Sequence, residues 1–88
     1  MFTKVFLLSP TDFRLLMSDL VEMYKEYGEN ISPEEFLESW FEETCDAEGV
    51  DGMLIYFESG IEEEVYSGKD FVKLVDRYDY LEDFKEED

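Results

Sequence analysis

The chain has 88 residues, of which 25 are acidic and only seven basic, so its formal net charge is −18 at pH 7. Such a charge opposes direct binding to nucleic acid and to anionic membranes, because both are bound through Lys and Arg side chains. The sequence contains no histidine and so offers no imidazole base, and we expect neither enzymatic activity nor a cofactor. The length predicts a single acidic domain, residues 1–88, with residues 85–88 as a frayed tail.

A strand and a helix are the first predicted elements. Residues 2–8 are rich in β-branched and aromatic side chains, which favours a short strand. Ser9 is a suitable N-cap for the helix that follows, and the carboxylate of Asp12 would lie near the positive end of its dipole. Apolar side chains then recur at steps of three and four across residues 13–27, and Gly28 is the predicted stop.

The second predicted helix has the clearest local signature in the chain. Residues 32–35, Ser-Pro-Glu-Glu, form a capping box in which the Ser32 hydroxyl accepts a hydrogen bond from the backbone N–H of Glu35. The helix is predicted to end by Gly49. Its core-facing stripe consists of Phe36, Leu37, Trp40 and Phe41.

Two strands joined by a tight turn follow. Residues 53–58 and 61–66 are the predicted strands of a β-hairpin, with the turn at Ser59 and Gly60. The register stays open at this point. If Glu58 faces Ile61 across the turn, then Glu63 lies on one face of the second strand, and Glu62 and Glu64 lie on the other.

The last predicted element is a helix that begins at Ser67 and Gly68 and continues to Leu81. The resulting order is strand, helix, helix, strand, strand, helix. We therefore expect an α+β fold in which the helices pack on a short sheet that contains the hairpin. No apolar run approaches the ~20 residues that cross a bilayer, so we expect no membrane-spanning segment. The single cysteine, Cys45, excludes an internal disulfide, favours a cytoplasmic location and is interpreted as a buried, inert thiol.

The acidic residues are distributed unevenly along the chain. Between Lys25 and Lys69 there is no basic residue, although fourteen of the 25 carboxylates lie in this interval. Within the second predicted helix, acids recur every four residues from Glu34 to Asp46, and their mutual repulsion costs on the order of 1 kcal/mol. Four residues of helix rise about 6 Å, while phosphates along one DNA strand recur every ~3.4 Å. This ridge of carboxylates therefore approximates every second phosphate of a nucleic acid strand.

The charge pattern predicts a cationic protein as partner. The candidate partner-binding residues are Glu34, Glu35, Glu38, Glu42, Glu43, Asp46, Glu48, Glu62, Glu63 and Glu64. The last three have an equally good alternative explanation, because charges on an edge strand discourage aggregation between sheets. We predict no metal site, since an EF-hand alignment on Gly52 and Glu58 leaves two ligand positions without suitable side chains.

The first functional hypothesis is an acidic inhibitor that mimics the charge of nucleic acid and binds the basic cleft of a nucleic-acid-binding protein or nuclease, as a monomer or homodimer. In size and charge the chain resembles the small acidic phage proteins that block host restriction, CRISPR or DNA-repair enzymes. This resemblance implies an anti-restriction or anti-CRISPR role in the cytoplasm of a bacterial host. It is a similarity of character, with no shared motif.

Two alternatives remain open. Residues 27–30, Tyr-Gly-Glu-Asn, followed by Leu37, Trp40 and Glu42, are similar to the segment of the barstar family that leads into its toxin-binding helix. That resemblance implies an immunity protein or antitoxin that neutralises a nuclease toxin. The predicted C-terminal helix departs from the pattern of that family, so no site residues are carried over. The other alternative is a structural or scaffold subunit whose aromatic stripes bind another chain.

Overall fold

The sheet is organised around a central strand. A computed structural model describes residues 4–27 and 30–85. In it β1 (Val5–Leu8) lies parallel to β2 (Gly52–Tyr56), and β3 (Glu62–Val65) lies antiparallel to β2 on the opposite side. The predicted α+β order of strand, helix, helix, strand, strand, helix is confirmed.

The predicted helix caps are present. At the start of α1 (Pro10–Tyr27) the backbone N–H of Asp12 donates to the Ser9 hydroxyl at 3.1 Å, and the Ser9 N–H donates to the Asp12 carboxylate at 3.2 Å. At the start of α2 (Pro33–Glu48) the Ser32 hydroxyl accepts from the Glu35 N–H at 3.2 Å. The predicted stop at position 28 and the first two residues of the predicted N-terminal strand lie outside the described residues.

The hairpin loop differs by one residue from the pairing considered in the sequence. Phe57, and not Glu58, faces Ile61, and the Phe57 N–H donates to the Ile61 carbonyl at 2.9 Å. The loop therefore contains three residues and ends at Gly60, whose φ of +91° places it in the left-handed region. Such a glycine at the third position is the usual way to close a three-residue hairpin loop.

The last predicted helix is broken in two. The helix α3 (Gly68–Arg77) is followed by the short helix α4 (Leu81–Lys85), and Asp79 between them has a φ of +65°. The Tyr80 N–H donates a hydrogen bond to the Val75 carbonyl at 3.0 Å, as in a Schellman motif. Lys85, assigned from the sequence to a frayed tail, is the last residue of α4, and residues 86–88 lie outside the described part of the chain.

The helices leave one face of the sheet open: α1 and α3 pack on the strands, and α2 and α4 pack mainly on other helices. On the face of the sheet toward the helices, Leu8, Ile55 and Val65 are buried. Phe71 of α3 is fully buried between two aromatic rings of α2, Trp40 and Phe41, at centroid distances of 5.5 and 5.3 Å. The helix α2 therefore packs into the helical layer through its apolar stripe, and its remaining sides face solvent.

Candidate partner-binding surface

The helix α2 carries seven acidic side chains and no basic one. Its buried residues are Leu37, Phe41 and Cys45, so the acids between them lie at the margin or on the solvent side of the helix. In the part of the chain that the structure describes, one of the seven is within ion-pair distance of a cation. That acid is Glu34, whose carboxylate is 3.6 Å from the Lys85 ammonium of α4.

Five of the other six acids form what we call the acidic face of α2: Glu35, Glu38, Glu42, Glu43 and Asp46. The sixth, Glu48, is exposed at the end of the helix, seven residues after the buried Phe41 and therefore on the same side of the helix as that residue. Three members of the acidic face, Glu35, Glu38 and Glu42, line one shallow groove together with Ile31 and Ser39. Carboxylates three and four residues apart on a helix are neighbours, so this groove concentrates negative charge on one surface.

Within this face Glu38 differs from its neighbours because it is half-buried. Its backbone and side chain lie directly against Gly68, the first residue of α3. Glu38 therefore contributes to the packing of α2 on α3 as well as to the acidic face.

The C-terminal end of α2 is acidic where the fold would favour basic side chains. Asp46 and Glu48 are exposed near the negative end of the helix dipole, and the last turn contains no basic residue. Each misplaced charge of this kind costs about 0.3–1 kcal/mol at low ionic strength. The charge at this end of α2 thus has no structural explanation in the fold itself.

The three consecutive glutamates of β3 do not act together, because successive side chains of a strand point to opposite faces. Glu63 points toward the helices and pairs with the Arg77 guanidinium, and the Tyr78 hydroxyl donates to the same carboxylate oxygen at 3.0 Å. Burial of the Tyr78 hydroxyl, together with its hydrogen bond to Glu63, raises the pKa of Tyr78. Glu63 is therefore engaged within the fold.

Glu62 and Glu64 lie on the outer face of the sheet, which the helices leave uncovered. This places them on a different surface from the acidic face of α2. Of the ten candidate residues, the structure brings five together on one face of α2, leaves Glu48 apart from them at the C-terminal end of that helix, and sets Glu62 and Glu64 apart on the sheet. The remaining two, Glu34 and Glu63, pair with cations from the C-terminal helices.

Neither of these two ion pairs is predicted by the sequence. Lys85 and Arg77 lie outside the cation-free interval, and only the packing of α3 and α4 brings them to Glu34 and Glu63. The alternation of side chains along a strand was the one sequence signal that separated Glu63 from Glu62 and Glu64.

The remaining reactive groups do not form a second site. Cys45 is buried, and this burial, reinforced by the nearby Asp51 carboxylate, raises the pKa of its thiol. Within residues 4–27 and 30–85, no three His, Cys, Asp or Glu side chains are grouped to hold a metal ion. Over the same ranges, none of the helices has the length and hydropathy required to traverse a bilayer. Comparisons of the chain with models of known families, with curated proteins and with solved structures find no match.

Proposed function

We propose that this protein is an acidic inhibitor that occupies the basic nucleic-acid-binding cleft of another protein through the acidic face of α2. The observation that carries the proposal is that five acids share one face of one helix without a cation partner among the described residues. These unpaired charges work against the stability of a small domain. A complementary positive surface on a partner would offset that cost.

The spacing of the acids supports mimicry of a nucleic acid backbone. Glu35 and Glu42 are seven residues apart in a continuous helix, which corresponds to a rise of about 10 Å. Three phosphate steps along one DNA strand cover about the same distance. A rigid helix can hold carboxylates at such intervals without the ordering entropy that a flexible acidic tail would lose on binding.

In this proposal the target is a nucleic-acid enzyme of the kind that phages must block, such as a restriction or CRISPR nuclease, because the chain resembles the phage inhibitors of such enzymes in size and charge. An immunity protein would use the same kind of surface against a nuclease toxin. Either way, association should be fast and should weaken as the salt concentration rises, because steering by complementary charge is screened.

The test compares two variants with the same change in charge. Glu35→Lys combined with Glu42→Lys reverses two exposed acids of the acidic face and leaves the packed Glu38 untouched. Asp19→Lys combined with Glu26→Lys reverses two exposed acids of α1 at the same spacing of seven residues. The wild-type chain is immobilised, proteins are captured from a bacterial lysate at about 50 mM salt, and duplex DNA is then added as competitor.

We expect the captured protein to be a nucleic-acid-binding protein that DNA displaces from the chain. The α2 variant should then lose at least about tenfold in affinity for it, while the α1 variant stays within about threefold of the wild type. The identity of the target distinguishes an inhibitor of defence enzymes from an immunity protein. A partner that DNA does not displace, or equal losses in both variants, would overturn the proposal.

A further inference from the structure

The outer face of the sheet forms a regular pattern of side chains. Leu7 of β1, Leu54 of β2 and Glu64 of β3 lie side by side in one row of the register. In the neighbouring rows Tyr56 pairs with Glu62, and the ring of Tyr66 lies over Gly52. The face is therefore apolar along β1 and β2 and carries glutamates along β3.

This face is exposed although it carries large apolar side chains. Leu7 is 59% exposed, Tyr56 39% and Tyr66 45%. Sheets that contain only parallel strands are normally covered on both faces, whereas here the helices cover one face of the β1–β2 pair. The open face thus has the composition of a surface that packs against another element.

The dimensions of the face match a single helix. Three strands at a spacing of ~4.8 Å give a width of about 10 Å, and an α-helix with its side chains is about 10–12 Å in diameter. Leu54 and the three consecutive residues Glu62, Glu63 and Glu64 line one shallow depression along β2 and β3. A helix laid there would place an apolar stripe on Leu54 and Tyr56, and its flank would run beside Glu62 and Glu64.

We propose that the outer face of the sheet binds a basic amphipathic helix, whose apolar stripe packs on Leu7, Leu54 and Tyr56 and whose Lys or Arg side chains pair with Glu62 and Glu64. The inference rests on the proposed function in one respect, because it assigns this helix to the same cationic partner. A second copy of the chain is a poor occupant, since each copy carries a net charge of −18.

The probe is a synthetic peptide of about 14 residues, ~21 Å long as a helix, in which Leu and Lys follow the helical period. A second peptide has the same composition in an order that breaks the period. Each peptide is titrated into isotope-labelled protein at about 150 mM salt. Changes in the NMR chemical shifts of the backbone amides locate the binding site, and calorimetry gives the affinity.

Two leucines of almost equal exposure supply matched variants. Leu7→Lys changes the outer face, whereas Leu15→Lys changes α1, where the leucine is 60% exposed. We expect the amphipathic peptide to change the amide chemical shifts of residues in all three strands. Its affinity for Leu7→Lys should be at least ~10-fold weaker than for the wild type, while its affinity for Leu15→Lys stays within about twofold. Neutralising the acids with Glu62→Gln and Glu64→Gln should weaken binding by about 3- to 10-fold.

Shifts confined to α2, equal affinity for the two peptides, or equal effects of the two leucine variants would overturn the inference. The Glu35→Lys and Glu42→Lys variant separates this result from the proposed function. If the inference is correct, that variant keeps its affinity for the peptide, whether or not it loses affinity for the captured target in the DNA competition. The peptide titration therefore reports on the sheet, and the competition reports on α2.

Discussion

Gly68 at the start of α3 lies so close to Glu38 of α2 that a Cβ atom at position 68 would stand 2.5 Å from the Glu38 Cγ and 2.8 Å from its carbonyl oxygen. Real Cβ atoms do not approach other atoms so closely. We therefore expect Gly68→Ala to force α2 and α3 apart and to destabilise the protein by about 1–3 kcal/mol, as overpacking does elsewhere. Urea unfolding followed by circular dichroism measures the change as a lower midpoint at an unchanged slope.

A double variant shows whether the cost arises from this contact. Glu38→Ala removes the nearest side-chain atom but leaves the carbonyl oxygen in place, so it should restore part of the stability lost in Gly68→Ala. The coupling between the two substitutions should exceed about 0.5 kcal/mol. Additive effects of the two changes, or an unchanged midpoint for Gly68→Ala, would contradict the close packing of the two helices.

A second prediction concerns alkaline pH and the hydrogen bond from Tyr78 to Glu63. Burial and this hydrogen bond hold the pKa of Tyr78 above its ordinary value in the folded state. The folded protein therefore retains a proton that the unfolded chain releases near pH ~10. The contribution to stability is complete below about pH 10 and is lost as the pH rises through the folded-state pKa.

Tyr78→Phe should accordingly unfold at a lower urea concentration than the wild type near pH ~8, and the difference should shrink toward pH ~11. Tyr27→Phe, at a tyrosine that is 79% exposed, serves as the control and should match the wild type at both values. The assignment fails if the gap between Tyr78→Phe and the wild type is the same at both pH values.

The features that were predicted correctly from the sequence are local in the chain. The predicted caps at Ser9 and Ser32 depend on hydrogen bonds that span three residues, and both are formed. The break at Asp79 was missed because aspartate adopts a positive φ far less often than glycine does. The hairpin register stayed open in the sequence, and the structure resolves it with a three-residue loop that ends at Gly60.

For the candidate surface, the sequence predicted the positions of acids within one helix but not the contacts between elements. Spacing within α2 placed its acids correctly along one helix, since that geometry follows from 3.6 residues per turn. The ion pair from Lys85 to Glu34 joins residues far apart in the sequence, and no local sequence pattern predicts it. The interval between Lys25 and Lys69 therefore lacks cations in the sequence, but in the folded protein a cation from outside the interval lies beside one of its acids.

The final prediction follows from the direction of the α2 dipole. Glu48 lies in the last turn of α2, where a positive charge is favoured, and Glu35 lies in the first turn, where a negative charge is favoured. Glu48→Lys and Glu35→Lys change the net charge equally, and both positions are exposed. General relief of repulsion therefore affects both variants alike, while the dipole distinguishes them. Glu48→Lys should raise the free energy of unfolding by about 0.3–1 kcal/mol more than Glu35→Lys at low salt.

The difference between the two variants should fall when salt is raised to about 0.5 M, because the Debye length shortens to a few Å. Thermal unfolding at both salt concentrations measures it. A gain in stability from Glu48→Lys that is accompanied by weaker binding to the captured target would show that this acid serves the partner at the expense of the fold. Equal stabilities of the two variants at low salt would mean that the dipole does not act on the exposed ends of α2, and the acidic C-terminus would then impose no cost on the fold.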